Sequence, residues 1–182
     1  MTEPTKQYSW IIGLDNGCSA NGVALLGPDN FASYLKLPTK NELSYTKEDR
    51  FITRIDAPGL RQLFVDWKLP KESTVVVMER MMINPARFRA SISAARTLEA
   101  ELIVIEELGY AYEYIDSKQW QHTLLPDIVG SDKLKPASLE LAKRLYPQFK
   151  VKKDGDSMLI AHWYKHKDTL TPAPKPKKVK TL

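Results

Sequence analysis

The first apolar run along the chain, YSWIIGL at 8–14, is short, rich in β-forming residues and stopped by the turn-like Asp15-Asn16-Gly17. It predicts a buried strand with a carboxylate at its end. Two more strands are expected at 21–26 and 31–37, separated by Gly27-Pro28-Asp29-Asn30, so the chain opens on a three-stranded meander. Over 47–67, Ile52, Ile55, Leu60, Leu63, Phe64 and Trp67 recur at helical spacing, with Pro58-Gly59 breaking or restarting the helix. TVVVM at 74–78 is a β-branched strand that again ends in an acid, Glu79.

The longest helical signal covers 88–108, with Ile92, Ala95, Leu98, Leu102 and Ile105 on one stripe and Gly109 as its cap. A strand at 111–115, a short helix at 117–125 and a loop at 126–132 follow. Leu134, Ser138, Leu141 and Leu145 predict another helix, stopped by Pro147, and a last helix is expected from about 154 to 165. Strands followed by strand-helix crossovers predict an α/β fold, a mixed sheet covered by helices on both faces. No internal repeat is seen.

Composition narrows this further. A chain of 182 residues, 43% of them hydrophobic, is long enough for one domain with a real core. No window approaches a membrane-spanning apolar run, and 1–6 lacks the pattern of a secretory signal, so a cytoplasmic protein is expected. The single cysteine, Cys18, rules out an internal disulfide framework and a cysteine-rich zinc site, and no base partner suggests thiol chemistry. His122, His162 and His166 are too scattered for a zinc motif. The net charge is +5, but four lysines lie in the acid-free segment TPAPKPKKVKTL at 171–182. The rest is nearly balanced, so any nucleic-acid role rests on local patches. One domain at 1–170 and a disordered basic Pro/Lys tail at 171–182 are expected.

Asp15, Glu79 and the pair Asp154/Asp156 each sit at the edge of an apolar element. Strand ends and helix starts can meet at one rim of a helix-covered sheet, and acids packed together call for a cation. Hard oxygen ligands suit Mg²⁺ or Mn²⁺ bridging a phosphate. Each acid also has a plainer use: Asp15 as a turn residue, Glu79 as a solvated strand end paired with Arg80, and Asp154 and Asp156 as helix N-terminal residues. Arg87, Arg89 and Arg96, with Phe88 between two of them, form either a DNA-facing edge or an ordinary solvated face.

The segments IIGLDNGCSANGVALL, VVVMERMMINPARF, YEYIDSKQWQHTLLP, LKPASLELAKRLYP and KKDGDSMLIAHWYKHK occur in the order and spacing of RuvC-type Holliday junction resolvases, and look most like the phage-encoded members. The resemblance spans about 10–167. It implies a ribonuclease H-like fold with a mixed five-stranded sheet, a homodimer, and a metal-dependent endonuclease that cuts branched DNA in a bacterial or phage-infected cell. Carried across, Asp15, Glu79 and Asp156 match the family's acids, with two Mg²⁺ or Mn²⁺ ions per active site. Asp154 departs from the pattern by standing two residues from Asp156, so it is either the fourth ligand or leaves a three-acid site. Lys135 matches a catalytic, phosphate-stabilising lysine. Gln121 stands where a basic residue is common, which leaves Lys118 or His122 beside it to supply the DNA contact.

Two rivals to the nuclease are considered. An actin-like ATPase shares the acidic turn after the first strand, but needs a second domain for which the chain lacks length. A catalytically inactive resolvase-like domain that binds DNA or protein would keep the fold without cutting.

Overall fold

A computed structural model describes residues 7–17, 22–45, 47, 49–152 and 154–170; Cys18 and the 171–182 tail lie outside the described residues. Three strands open the chain: β1 (Trp10–Leu14), β2 (Gly22–Leu26) and β3 (Ala32–Lys36). A hairpin of β4 (Thr39–Leu43) and β5 (Phe51–Ile55) leads into helix α1 (Ala57–Trp67). Then come β6 (Thr74–Glu79), α2 (Phe88–Leu108), β7 (Ala111–Ile115), α3 (Ser117–Leu124), α4 (Ser131–Leu145) and α5 (Asp156–His166). Among the described residues, no helix is long and apolar enough to cross a membrane.

Five strands form one mixed sheet in the order β3-β2-β1-β6-β7. The β1–β2 and β2–β3 pairs are antiparallel, as tight connections allow, whereas β1–β6 and β6–β7 are parallel. Joining β6 to a parallel neighbour requires a long crossover, and α2 supplies it.

Side chains alternate across this sheet, and both faces are apolar. Ile11, Ala24, Leu26, Val75 and Val77 pack under α3, α4 and α5 through Trp120, Leu141, Met158 and Leu159. Ile12, Leu14, Val23, Leu25, Val76 and Met78 pack on the opposite face against Leu60, Phe64, Val104 and Ile105 of α1 and α2. A strand buried on both faces reads as a continuous apolar run, which explains VVVM in β6.

Three expectations change. The segment at 47–67 is not one helix: Phe51–Ile55 is a strand paired with Thr39–Leu43, a partner absent from the predicted elements. Its β-branched and aromatic residues fit an extended hairpin, and this outweighs the three-residue spacing of Ile52 and Ile55. Of the two roles expected at Pro58-Gly59, the second holds: Pro58 lies in the first turn of α1, where a missing N–H costs nothing. Helix α4 begins at Ser131 and carries Pro136 inside, and α5 begins at Asp156, leaving Asp154 outside it.

Gly109 caps α2 as expected, with φ of 73° and its N–H on the carbonyls of Glu106 and Ile105. Gly13 has a different task. A Cβ there would collide with the main-chain carbonyl of Ser157 and lie 3.0 Å from the Ala161 Cβ, so α5 lies directly on β1. Because the obstacle is backbone, Gly13→Ala is expected to cost about 2 to 3 kcal/mol in urea unfolding and to push the α5 N-terminus away from the sheet. Wild-type stability would show that the contact is not tight.

Candidate active site

The parallel register Leu14↔Met78 sets the ends of β1 and β6 level, so the next residues, Asp15 and Glu79, stand side by side at one rim. Asn16 clips the two strand ends together, its side-chain amide donating to the main-chain carbonyl of Glu79. The close seating of α5 on Gly13 brings Asp156 to the same rim. Asp154 is held from the edge strand on the same face as α5, where the Tyr34 hydroxyl of β3 donates to its main-chain carbonyl at 3.0 Å.

As a result, Asp15, Asp154 and Asp156 each offer a carboxylate oxygen within 4.8 Å of one another. Glu79 lines the same cleft, of about 730 Å³, without belonging to that trio. Its Oε2 accepts a 3.0 Å hydrogen bond from the indole of Trp120, and the expected partner Arg80 instead faces Asp116 at 3.6 Å.

Burial pushes Asp15 up to about 7, aided by the charges of Asp154 and Glu79. Glu79 is also raised to about 7 by burial, although the Trp120 hydrogen bond opposes the change. Burial, then Asp154 and Asp15, raise Asp156 as well. Among the described residues Lys135 offsets this charge, its Nζ lying 4.0 Å from Asp154 Oδ2, but it is 78% exposed. An exposed ammonium at that distance offsets little.

These residues fit a hard divalent cation. All the donors are carboxylate oxygens, and Asp156 Oδ1 is buried with no hydrogen-bond partner among the described residues. A bound cation would supply what the protein leaves missing, positive charge and an acceptor for that lone pair.

The other sequence-selected residues separate. Arg87 and Gln121 line the cleft, whereas Phe88, Arg89 and Lys118 are exposed and do not. Arg89 lies 3.6 Å from Asp49. Arg96 donates to the Tyr45 hydroxyl at 2.9 Å and lines a second hollow beside the β4–β5 hairpin, which touches the cleft only through Ser93. His162 and His166, expected to be scattered, have ring centroids 4.6 Å apart on α5, but the acidic cleft does not include them. Asn16, Trp120 and Ser138 escaped the sequence reading. For Trp120 a signal existed, since a buried indole needs an acceptor for its N–H.

No family model matches the chain, and no curated protein matches it in sequence. Solved structures do match. T. thermophilus RuvC in complex with a Holliday junction substrate superposes with a TM-score of 0.54 at 14% identity, over 91% of this chain and 99% of that one. A second Thermus thermophilus RuvC structure gives 0.52 at 12%, over 90% and 99%. The chain has the RuvC fold. The mixed five-stranded sheet with helices on both faces is thus the ribonuclease H-like architecture expected from the sequence motifs.

The raised carboxyls set the sign of a pH effect. Asp15 and Glu79 start from 3.8 and 4.5 and reach about 7 in the fold, so without metal their protonated forms stabilise it. That stability is complete below about pH 4 and is lost as the pH rises through about 7. Mn²⁺ is therefore expected to raise the melting temperature more at about pH 8 than at about pH 5.5, because at the lower pH it must displace protons. Asp156→Asn should raise the metal-free melting temperature at about pH 8 by about 3 to 6 °C and shrink the Mn²⁺ effect. A Mn²⁺ shift independent of pH would refute this account.

Proposed function

We propose that this protein is a divalent-metal-dependent endonuclease of the phage-encoded RuvC-like kind, resolving Holliday junctions and other branched DNA in the cytoplasm of a bacterial or phage-infected cell. The observation that carries the reading is the convergence of Asp15, Asp154 and Asp156, with Glu79 beside them, in one cleft of a RuvC-like fold. The neighbouring RuvC structure is itself a complex with a Holliday junction substrate.

In this reading Asp15, Glu79, Asp154 and Asp156 hold two Mg²⁺ or Mn²⁺ ions. When bound, the ions supply Lewis acidity toward the phosphate and lower the pKa of water. The protein's own groups do the rest. Lys135, at the mouth beside Asp154, offers a mobile ammonium to a phosphate oxygen. Arg87, on the opposite wall, adds a guanidinium suited to paired contact with phosphate. Gln121 and Ser117 give the α3 side neutral donors that orient the DNA backbone without adding charge. Arg89, Arg96, Phe88 and Lys118 extend the DNA-facing surface beyond the cleft. The active unit is a homodimer, because one chain carries one such acidic cluster among its described residues while an opened four-way junction is two-fold symmetric and needs paired incisions.

The deciding assay is nicking of a synthetic four-way junction with and without Mg²⁺. Asp15→Asn, Glu79→Gln and Asp156→Asn should each lower cleavage by at least about a hundredfold and leave junction binding in place, since phosphate contacts are separate from ion ligands. Mixed dimers of wild type and Asp15→Asn should nick mostly one strand. Junction binding without cutting by the wild type would favour the inactive resolvase-like domain instead. Wild-type rates in the three variants would refute the site.

A further inference from the structure

Trp120 heads the fully buried side chains by size, at 0% exposed, and packs in the core beneath α5. Its one polar group is the indole N–H, which donates to Glu79 Oε2 at 3.0 Å. Among the described residues no other side chain hydrogen-bonds the Glu79 carboxylate, and Asn16 reaches only its main-chain carbonyl. Oε2 is thus occupied from inside the core, and Oε1 is the oxygen left for the cleft.

The chemistry of the donor matters. An arginine or lysine in this place would hold Glu79 equally well but neutralise it, and so compete with a cation. An indole is uncharged and rigid, and its ring is locked by packing. It favours the carboxylate against the cost of burial and leaves the negative charge intact. The chain places it there by local means. The register Glu79↔Ile115 ends β7 level with β6, Asp116 and Gln119 form the capping box that starts α3 at once, and Trp120 falls in its first turn.

We propose that Trp120 is a positioning residue for Glu79, fixing which carboxylate oxygen faces the cleft and thereby strengthening divalent-cation binding. This rests on the metal-binding role proposed for Glu79. The test uses the full chain labelled with ¹⁵N at its four tryptophan indoles. The indole signal missing from Trp120→Phe belongs to Trp120. It should move in Glu79→Gln and should move during a Mg²⁺ titration of the wild type. By calorimetry, Trp120→Phe should bind Mn²⁺ about tenfold more weakly, and its kcat on the junction should fall while KM holds. If Trp120→Phe does not fold, Trp120→Tyr is used for the assignment and the calorimetry, and the Glu79→Gln and Mg²⁺ arms decide. An indole signal unmoved by both, or a folded Trp120 variant with wild-type Mn²⁺ affinity, overturns the proposal. Absence of Mn²⁺ uptake by the wild type overturns the metal reading itself and this one with it. Equal uptake by wild type and variant overturns only the role of Trp120.

Discussion

Everything at the cleft depends on the parallel pairing of β1 with β6. Because Trp10↔Thr74 through Leu14↔Met78 run in one register, two strands some sixty residues apart in sequence end at the same level. A slip of one residue would turn Asp15 and Glu79 to opposite faces of the sheet and exchange the side chains of one strand between the two cores. The residues that secure the register are therefore the double-sided core: Ile11, Val75 and Val77 on one face, Ile12, Val76 and Met78 on the other. Stability of the sheet and placement of the acids are one constraint.

Placing acids together has a cost that the rest of the rim answers only in part. Asp15 and Glu79 both titrate near 7, so the fold tolerates them as carboxyls more readily than as carboxylates. The compensations are weak or neutral: an exposed Lys135, a hydrogen bond from Ser138 to Asp156, the amide of Asn16 and the indole of Trp120. A strongly paired site would be stable without a ligand and indifferent to one. Here the acids are held in place by partners that, among the described residues, are weak or neutral, which is the condition under which cation binding is coupled to stability.

The elements that positioned Asp15 and Glu79 were legible because they are local. A short β-branched run ending in an acid reads the same in sequence and in space, and the Gly109 cap of α2 matched to the residue. What escaped was long-range. The β4–β5 hairpin was hidden because Ile52 and Ile55 are three apart, a spacing that suits a helix, and only pairing with Thr39–Leu43 decides for a strand. Arg96, nine residues or two and a half turns beyond Arg87, meets the hairpin at Tyr45, a contact between distant elements that sequence spacing does not show. The partner of Glu79 was sought at Arg80, its neighbour in sequence, and was found at Trp120 on another element.

The two-residue spacing of Asp154 and Asp156 illustrates how a departure in sequence resolves in space. Asp154 stands outside α5 and accepts the main-chain N–H of Asp156 through Oδ1 at 2.9 Å, which closes a tight turn around Gly155. Gly155 is required there because a Cβ would meet the Ala142 Cβ at 2.5 Å and the Ser138 carbonyl at 3.1 Å. The turn therefore presses against α4, and α4 supplies both Ser138 for Asp156 and Lys135 for Asp154. Cap and ligand are not competing roles under this geometry. One oxygen of Asp154 starts the helix, the other faces the cleft, and removing the charge while keeping the amide oxygen, as Asp154→Asn does, separates the two. Cleavage lost with the helix intact would assign Oδ2 to the cation. Cleavage kept would leave Asp154 as the residue that aims Asp156.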